Sequence, residues 1–179
     1  MNVLKKRIIL INSFRRRKDI THRFNIKRTN KPHYFIDKNG EALKFLDNEE
    51  ISTLFLNKGH EIDILICLEN FGWLEKINRE KKFINPLGVI VDDQKSYEKK
   101  WRDYFFWDIY TEDQISSLLS EIKSISNEMQ IKKNFIGHNT KTTQVENFNG
   151  IVTRSNFNEL YTDVSPAFPF SGFNNQLKN

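Results

Sequence analysis

Two adjacent carboxylates, Asp92 and Asp93, are the residues whose types and spacing most directly suggest chemistry. They close the stretch from Asn85 to Val91, and a short apolar run bounded in this way is typical of a buried strand. In open α/β sheets, ligands bind at the carboxyl ends of strands. Paired acids there suit Mg²⁺ or Mn²⁺ beside a phosphorylated ligand, because both ions prefer oxygen ligands. The alternative interpretation is a strand that runs into a solvated acidic turn.

The histidines add one candidate ligand to this pair. The four of them, at positions 22, 33, 60 and 138, show no paired metal-ligand spacing. His138 is the exception that we predict as a metal ligand, because it follows a predicted strand and can lie near the same sheet edge as Asp93. Phosphate-loop and dinucleotide fingerprints and the Gly-x-Ser-x-Gly elbow are absent from the sequence.

Length and composition predict one folded domain. The chain has 179 residues, 38% of them hydrophobic, with 15 Phe and three Trp, so it is not a disordered protein. The single cysteine, Cys67, excludes an internal disulfide and a cysteine-based zinc cluster. No apolar run has the length of a membrane span and no signal peptide is evident. We therefore expect a single α/β domain over residues 1–179, cytoplasmic, with peripheral association at the inner membrane as an option.

The net charge of +5 is unevenly distributed. Residues 5–28 are rich in Lys and Arg, and Asp19 is their only acid. Such a cluster can attract nucleic acid, an anionic membrane or the phosphates of a nucleotide, and it can equally be a solvated face. A nucleic-acid-binding protein that uses residues 5–28 would bind its partner less tightly as salt is added.

Hydrophobic patterns give the elements that must position these residues. Residues 7–11, 32–37, 134–138 and 150–152 have the patterns of strands, as do residues 89–91 before the acidic pair. The clearest helix covers residues 111–129, where Thr111 and Gln114 form a capping-box pattern. Residues 95–107 suggest a loop or short helix, and residues 166–179 an irregular tail. Strands that alternate with helices predict a three-layer α/β sandwich with a mostly parallel central sheet.

Taken in order, these segments resemble glycosyltransferase family 25, the lipooligosaccharide transferases of bacteria. The resemblance spans residues 7 to about 170. It is carried by Ile11-Asn12 with the basic cluster before Asp19, by His33 to Gly40, by His60 through Trp73 to Ile77, by Val89 to Asp93, and by Gly150 to Leu160. In three places the chain departs from the family pattern: Val91 replaces the first acid of the metal motif, Cys67-Leu68 stands where Ser-His is expected, and the chain is shorter than typical members.

The resemblance implies a GT-A-like, Rossmann-related fold and a sugar transferred from a nucleotide sugar, most simply a UDP-sugar, to a saccharide or glycolipid acceptor in lipopolysaccharide biosynthesis. Mn²⁺ or Mg²⁺ would bridge the donor's diphosphate as a Lewis acid. The departures predict weakened catalysis. The resemblance assigns the metal to Asp92 and Asp93, beside which His138 stays the third predicted ligand from its position after a strand. It assigns the nucleotide to Asn12, Arg15, Arg16, Arg17 and Asp37, and the acceptor's proton to Glu69 or Asp108.

A second hypothesis is a flavodoxin-like signalling or interaction domain similar to a TIR module. Its landmarks would be Ser13-Phe14, a strand over residues 62–68 and Trp73-Leu74-Glu75. The transferase interpretation predicts a helix at residues 62–68, so this segment separates the two hypotheses. Periodicity alone fits either.

Overall fold

The computed structural model describes residues 5–20, 30–52, 54, 63–77, 82–92 and 96–178. Within them, ten strands form two five-stranded sheets, and residues 17–20 form a helical turn. The strands are β1 (Arg7–Asn12), β2 (Tyr34–Ile36), β3 (Ala42–Lys44), β4 (Asp63–Leu68), β5 (Trp73–Lys76), β6 (Lys82–Ile84), β7 (Ile90–Asp92), β8 (Ser96–Trp101), β9 (Tyr104–Asp108) and β10 (Gly150–Thr153). The helices are α1 (Glu112–Met129) and α2 (Phe170–Lys178), with 3-10 helices at Thr143–Asn147 and Arg154–Asn156.

The first sheet is mixed, with the strand order β10-β1-β4-β2-β3. Strands β10, β1, β4 and β2 are parallel, and β3 pairs antiparallel with β2. Strands β1 and β4 are buried along their whole length, which explains their unbroken β-branched and aliphatic sequences. Residues of alternate parity face two cores, one of which includes α1 and α2. The carboxyl ends of β1, β2 and β4 therefore meet at one edge.

The second sheet is entirely antiparallel, with the order β7-β6-β5-β9-β8. One face packs a small core of Leu74, Phe83 and Val91. Aromatic side chains dominate its other contacts, with Trp73 stacked on Tyr104 at a centroid distance of 4.3 Å. Because β9 ends at Asp108, directly beside the loop after β4, this sheet borders the carboxyl edge of the mixed sheet.

The helix α1 confirms the predicted helix over residues 111–129, and Thr111 is its N-cap, accepting from the backbone N–H of Gln114. The other half of the predicted capping box is wrong. The amide of Gln114 instead donates to the carbonyls of Ile36 and Glu69, at 3.0 and 3.1 Å. This side chain therefore ties the helix to the carboxyl ends of β2 and β4, because it is fully buried against them.

The predicted three-layer sandwich with a mostly parallel sheet is wrong, since half of the described strands form a separate antiparallel sheet. Residues 63–68 are a strand and not the helix that the transferase interpretation required. The expected central strand before Asp92 is the short edge strand β7, where Ile90 is half exposed. Residues 96–108 form the hairpin β8–β9 in place of a loop or helix. In the expected irregular tail, Phe170–Lys178 is a helix with Phe173 and Leu177 in the core.

Candidate functional site

A cavity of about 360 Å³ lies where the carboxyl ends of β2 and β4 meet the antiparallel sheet. Its volume falls within the usual range for small-molecule sites. Basic, acidic and apolar side chains all contribute to its wall: Arg16, Lys38, Glu69, Phe71, Ile90, Val91, Asp92, Asp108, Ile109 and Thr111. The two sheets therefore enclose a mixed-charge pocket at the edge where ligands of parallel sheets bind.

Glu69 directly follows β4 and holds three segments together at the cavity. Its carboxylate accepts from the backbone N–H of Arg17 at 2.9 Å and from that of Lys38 at 3.2 Å. Its own backbone N–H donates to the carbonyl of Ile36 at 2.8 Å. Glu69 is buried except for 9% of its surface. This carboxylate is therefore fixed in position by backbone donors from two other segments.

Asp108 ends β9 and forms an ion pair with Lys38 across the cavity wall, with 2.8 Å between Nζ and Oδ2. The backbone N–H of Phe71 also donates to Oδ2 at 2.8 Å. Burial raises the pKa of Asp108, the nearby Glu69 carboxylate raises it further, and Lys38 opposes both effects. A carboxyl whose pKa is raised beside a second carboxylate is typical of sites that bind or exchange protons.

A second polar cluster lies at the same edge, where β1 and β10 end. The backbone N–H of Asn12 donates to Oδ2 of Asp163 at 3.0 Å, and Nη1 of Arg154 lies 3.6 Å from the same oxygen. The side-chain oxygen of Asn12 accepts from the hydroxyl of Tyr110 at 2.9 Å, and that hydroxyl also accepts from the backbone N–H of Ser165. Burial raises the pKa of Tyr110. The cluster therefore joins three parts of the chain that are far apart in the sequence: Asn12, Tyr110 and residues 154–165.

The residues predicted to bind a nucleotide are separated by this arrangement. Arg17 pairs with Asp37 at 2.6 Å and with Glu41, and these hydrogen bonds raise the pKa of Arg17. Asp37 also accepts from the backbone of the turn that follows it. Arg16 lines the cavity, and Arg15 forms a turn through its backbone with Ser13. Asn12 belongs to the Asp163 cluster. The arginine triplet does not form one phosphate site.

Of the three predicted metal ligands, the structure describes Asp92 and His138, which lie on different segments. Asp92 is exposed at the cavity wall, and Asp93 lies outside the described residues. His138 is on another loop, 3.0 Å from the hydroxyl of Thr140 and 3.4 Å from the amide of Asn156. Among the residues that the structure describes, no three His, Cys, Asp or Glu side chains are grouped to hold a metal. The expected Mn²⁺ or Mg²⁺ ion therefore has no support.

Sequence reasoning brought Glu69 and Asp108 forward, and the structure places both in one cavity wall; their catalytic role stays a prediction. It missed Lys38, Asp163 and Arg154. Lys38 was visible as the residue after a strand-ending acid, a position that faces the same edge as Glu69. Asp163 lies in an irregular segment with no periodic pattern, so the sequence carried no indication of its place.

Solved structures with the same architecture exist. Over 99% of this chain and 87% of the other, the structure matches the N-acetylmuramoyl-L-alanine amidase LysC from Clostridium intestinale URNW, with a TM-score of 0.55 and 12% identity. It also matches the N-acetylmuramyl-L-alanine amidase AmiD from E. coli over 96% of this chain and 57% of that one, with a TM-score of 0.59 and 15% identity. This chain shares the fold of these amidases. No protein-family model and no curated protein matches its sequence.

This fold overturns the sequence-based assignment to glycosyltransferase family 25. The glycosyltransferase function, the role in lipopolysaccharide biosynthesis and the nucleotide-sugar partner were wrong for the same reason: the neighbours are amidases, and AmiD was solved with a peptidoglycan fragment. The TIR-like and nucleic-acid-binding alternatives fit no better, although residues 63–68 are the strand that the TIR hypothesis required. No helix in the described segments combines the length and apolar character that crossing a bilayer requires.

Proposed function

We propose that this chain binds muramyl peptides of peptidoglycan in the cavity between its two sheets. One observation carries the proposal: the fold of nearly the whole chain matches that of LysC and AmiD. AmiD was solved with anhydro-N-acetylmuramic acid-L-Ala-D-gamma-Glu-L-Lys, a sugar joined to a short peptide. The cavity has the volume of a small-ligand site at the sheet edge where such sites form.

The charges of the cavity wall suit such a glycopeptide. A peptide of this kind carries one free carboxylate on its γ-linked glutamate, a second on its terminal lysine, and an ammonium group on the lysine side chain. The wall presents Arg16 and Lys38 for carboxylates, and Asp92 for an ammonium group. Phe71 and Ile90 supply apolar surface, and Ile90 is half exposed. Oppositely charged groups around an apolar wall fix the orientation of a zwitterionic ligand.

The residues that the structure describes do not fit a catalytic zinc ion. Zinc-dependent hydrolases hold the metal through three His, Cys, Asp or Glu side chains and leave a fourth position open. In the described part of the chain no such trio is assembled. The most enclosed acid at this edge, Asp163, faces Arg154 and a backbone N–H. We therefore propose recognition of the glycopeptide, and no step that requires a metal.

Hydrolysis of the muramoyl–alanine amide bond is the second candidate function. The fold favours it, as does Asp108, a buried carboxyl with a raised pKa beside Lys38 and Glu69. In such a reaction water adds to the amide carbonyl, a carboxylate takes a proton from the water, and the leaving amine receives a proton. Chromatography of the anhydromuramyl tripeptide after incubation would show a free L-Ala-D-γ-Glu-L-Lys peptide. If the tripeptide ligand stays intact, binding without hydrolysis is the function that remains.

Calorimetry with the same anhydromuramyl tripeptide tests the recognition. We expect saturable one-to-one binding to the wild type and binding about tenfold weaker for Asp108→Asn, which keeps the shape and removes the charge that orients Lys38. Asp47→Asn is the matched control, because Asp47 also pairs with a lysine at 2.8 Å but on the exposed surface. If all three proteins bind the tripeptide with equal affinity, the ligand does not bind in this cavity. Absence of binding to the wild type would end the proposal.

A further inference from the structure

Asp163 is the most enclosed carboxylate at the carboxyl edge of the mixed sheet. It is only 1% exposed, and its Oδ2 accepts from the backbone N–H of Asn12 at 3.0 Å. Its own carbonyl accepts from the backbone N–H of Ser155 at 2.8 Å, which fixes it beside the end of β10. A charged group at this depth requires a compensating charge close by, since water cannot supply it.

Two guanidinium groups supply that charge. Arg154 follows β10, has its Nη1 at 3.6 Å from Oδ2 of Asp163, and stacks its Cζ at 3.9 Å from the ring centre of Tyr161. Arg102, at the tip of the β8–β9 hairpin, donates to the carbonyls of Glu159 and Tyr161. Both arginines lower the pKa of Asp163 against the effect of burial, which raises it. Aromatic and backbone contacts therefore hold two cations around one carboxylate.

The charge of this group is the opposite of what a metal site needs. A divalent cation is held by acids, imidazoles or thiolates that together offset its charge. Here the buried carboxylate is already balanced by Arg154, and Arg102, which the exposed Glu159 also faces, adds a further positive charge. The side chain of Arg154 is 28% exposed, so part of it reaches the surface, while its Nε is buried. A site of this composition attracts anions and repels cations.

We infer that the guanidinium groups of Arg154 and Arg102 stand in for a metal cation at Asp163, and that they bind a carboxylate of the ligand without any metal. This inference rests on the proposed function for the identity of the ligand as a muramyl peptide. Its chemistry is general: guanidinium groups bind carboxylates through directed, charge-assisted hydrogen bonds. The two arginines would thus select a ligand that carries a free carboxylate.

The part of the inference that Asp163 binds no metal is tested without any peptide. Equilibrium dialysis against zinc chloride should leave no zinc on the wild type beyond what remains on Asp163→Asn. A differential scanning measurement should show the same melting temperature with zinc and with a chelator. One zinc ion per chain that is lost in Asp163→Asn would overturn the inference, whatever the peptide does.

The carboxylate part is tested with two probes, N-acetylmuramyl-L-alanyl-D-glutamate and the same molecule with both glutamate carboxyls amidated. We expect Arg154→Gln to weaken binding of the acidic probe by about tenfold or more and to leave binding of the amidated probe unchanged. Arg102→Gln should act in the same direction, and it provides the measurement if Arg154→Gln does not fold. Lys133→Gln is the control, because Lys133 is an exposed cation elsewhere on the surface.

The outcomes separate the two proposals. Wild type that binds both probes, with affinities that neither arginine variant changes, keeps the proposed function and overturns the inference. Wild type that binds neither probe ends the proposed function and the carboxylate part together, while the dialysis result still decides whether the Asp163 centre takes a metal. Binding that appears only when zinc is present contradicts the inference directly.

Discussion

Ion pairs lie at both ends of the four parallel strands, one fully buried and one partly exposed, and the two ends use them differently. At the amino end, Arg7 on β1 and Asp63 on β4 are register partners, joined at 2.6 and 3.0 Å, and their side chains are 5% and 0% exposed. At the carboxyl end, Lys38 and Asp108 are joined at 2.8 Å beside a cavity, and Lys38 is 22% exposed. The first pair is closed, whereas the second is open to a ligand.

The closure of the amino end has visible causes. Nη1 of Arg7 also donates to the carbonyl of Val145 at 2.7 Å, and Lys5 donates to the carbonyls of Glu50 and Asp63. Arg7 and Lys5 therefore occupy the space around the Asp63 carboxylate. At the carboxyl end the space around Lys38 is left open, so similar charged groups can serve recognition there. The surroundings of an ion pair therefore determine whether it only stabilises the fold or can also contact a ligand.

The largest expected effect is at the closed end. Arg7→Met leaves Asp63 buried without its bidentate partner, and breaking such a pair costs about 3 to 5 kcal/mol of the free energy of unfolding. Urea denaturation followed by circular dichroism measures this loss. Binding of the anhydromuramyl tripeptide at low temperature should be unchanged, because the cavity is at the other end of the strands. A stable Arg7→Met variant that no longer binds the tripeptide would contradict the view that the closed pair is independent of the cavity.

The next effect is a pH dependence that also belongs to the amino end. His33 is fully buried, its Nδ1 accepts from the backbone N–H of Leu65 at 3.0 Å, and burial, with a smaller effect of Lys5, lowers its pKa to about 4. The unfolded chain binds the proton near pH 6.5, so between pH 6.5 and 4 it binds more protons than the folded chain. The free energy of unfolding should fall by about 3 kcal/mol as pH drops through this range.

The variant His33→Asn isolates this contribution, since the amide oxygen can still accept from Leu65 but the group does not titrate. The difference in unfolding free energy between wild type and His33→Asn should shrink as pH falls from 6.5 to 4. His138→Asn, on a loop at the surface of the fold, serves as the control. Parallel stability curves for wild type and His33→Asn would show that His33 does not titrate as expected.

The parts that followed from the sequence are those with local causes. The buried strands at residues 7–12 and 150–153 and the helix after Thr111 could be predicted, because unbroken apolar runs and a period of 3.6 residues depend only on neighbouring residues. Glu69 could be singled out as a possible site residue for the same kind of reason, because it follows a strong apolar run. Such local features do not depend on how the elements pack in the tertiary structure.

The parts that failed depend on pairing over long distances. The antiparallel sheet pairs Trp73 with Trp107 and Phe83 with Val91, and no pattern within one segment reveals these partners. Strand β4 is apolar on both faces, so its sequence fits a buried helix as well as a strand. Asp163 meets Asn12 across about 150 positions of sequence. The site at the carboxyl edge is therefore a product of topology, which the sequence alone did not determine.

The smallest expected change in stability is at the open end of the strands. Lys38→Met removes the partner of Asp108, and because Lys38 is partly exposed we expect a loss of only about 1 to 2 kcal/mol. The pKa of Asp108 is already raised by burial and should rise further without the lysine, so the variant should lose stability relative to wild type as the pH increases and the carboxyl must ionise. Tripeptide affinity should fall about tenfold or more.

Lys44→Met, which breaks a pair of the same 2.8 Å length on the exposed surface, is the control and should change neither the stability nor the tripeptide affinity. Calorimetry and urea denaturation of the two variants decide the matter. A Lys38→Met protein that loses as much stability as Arg7→Met but keeps its affinity would mean that both ends of the sheet are structural.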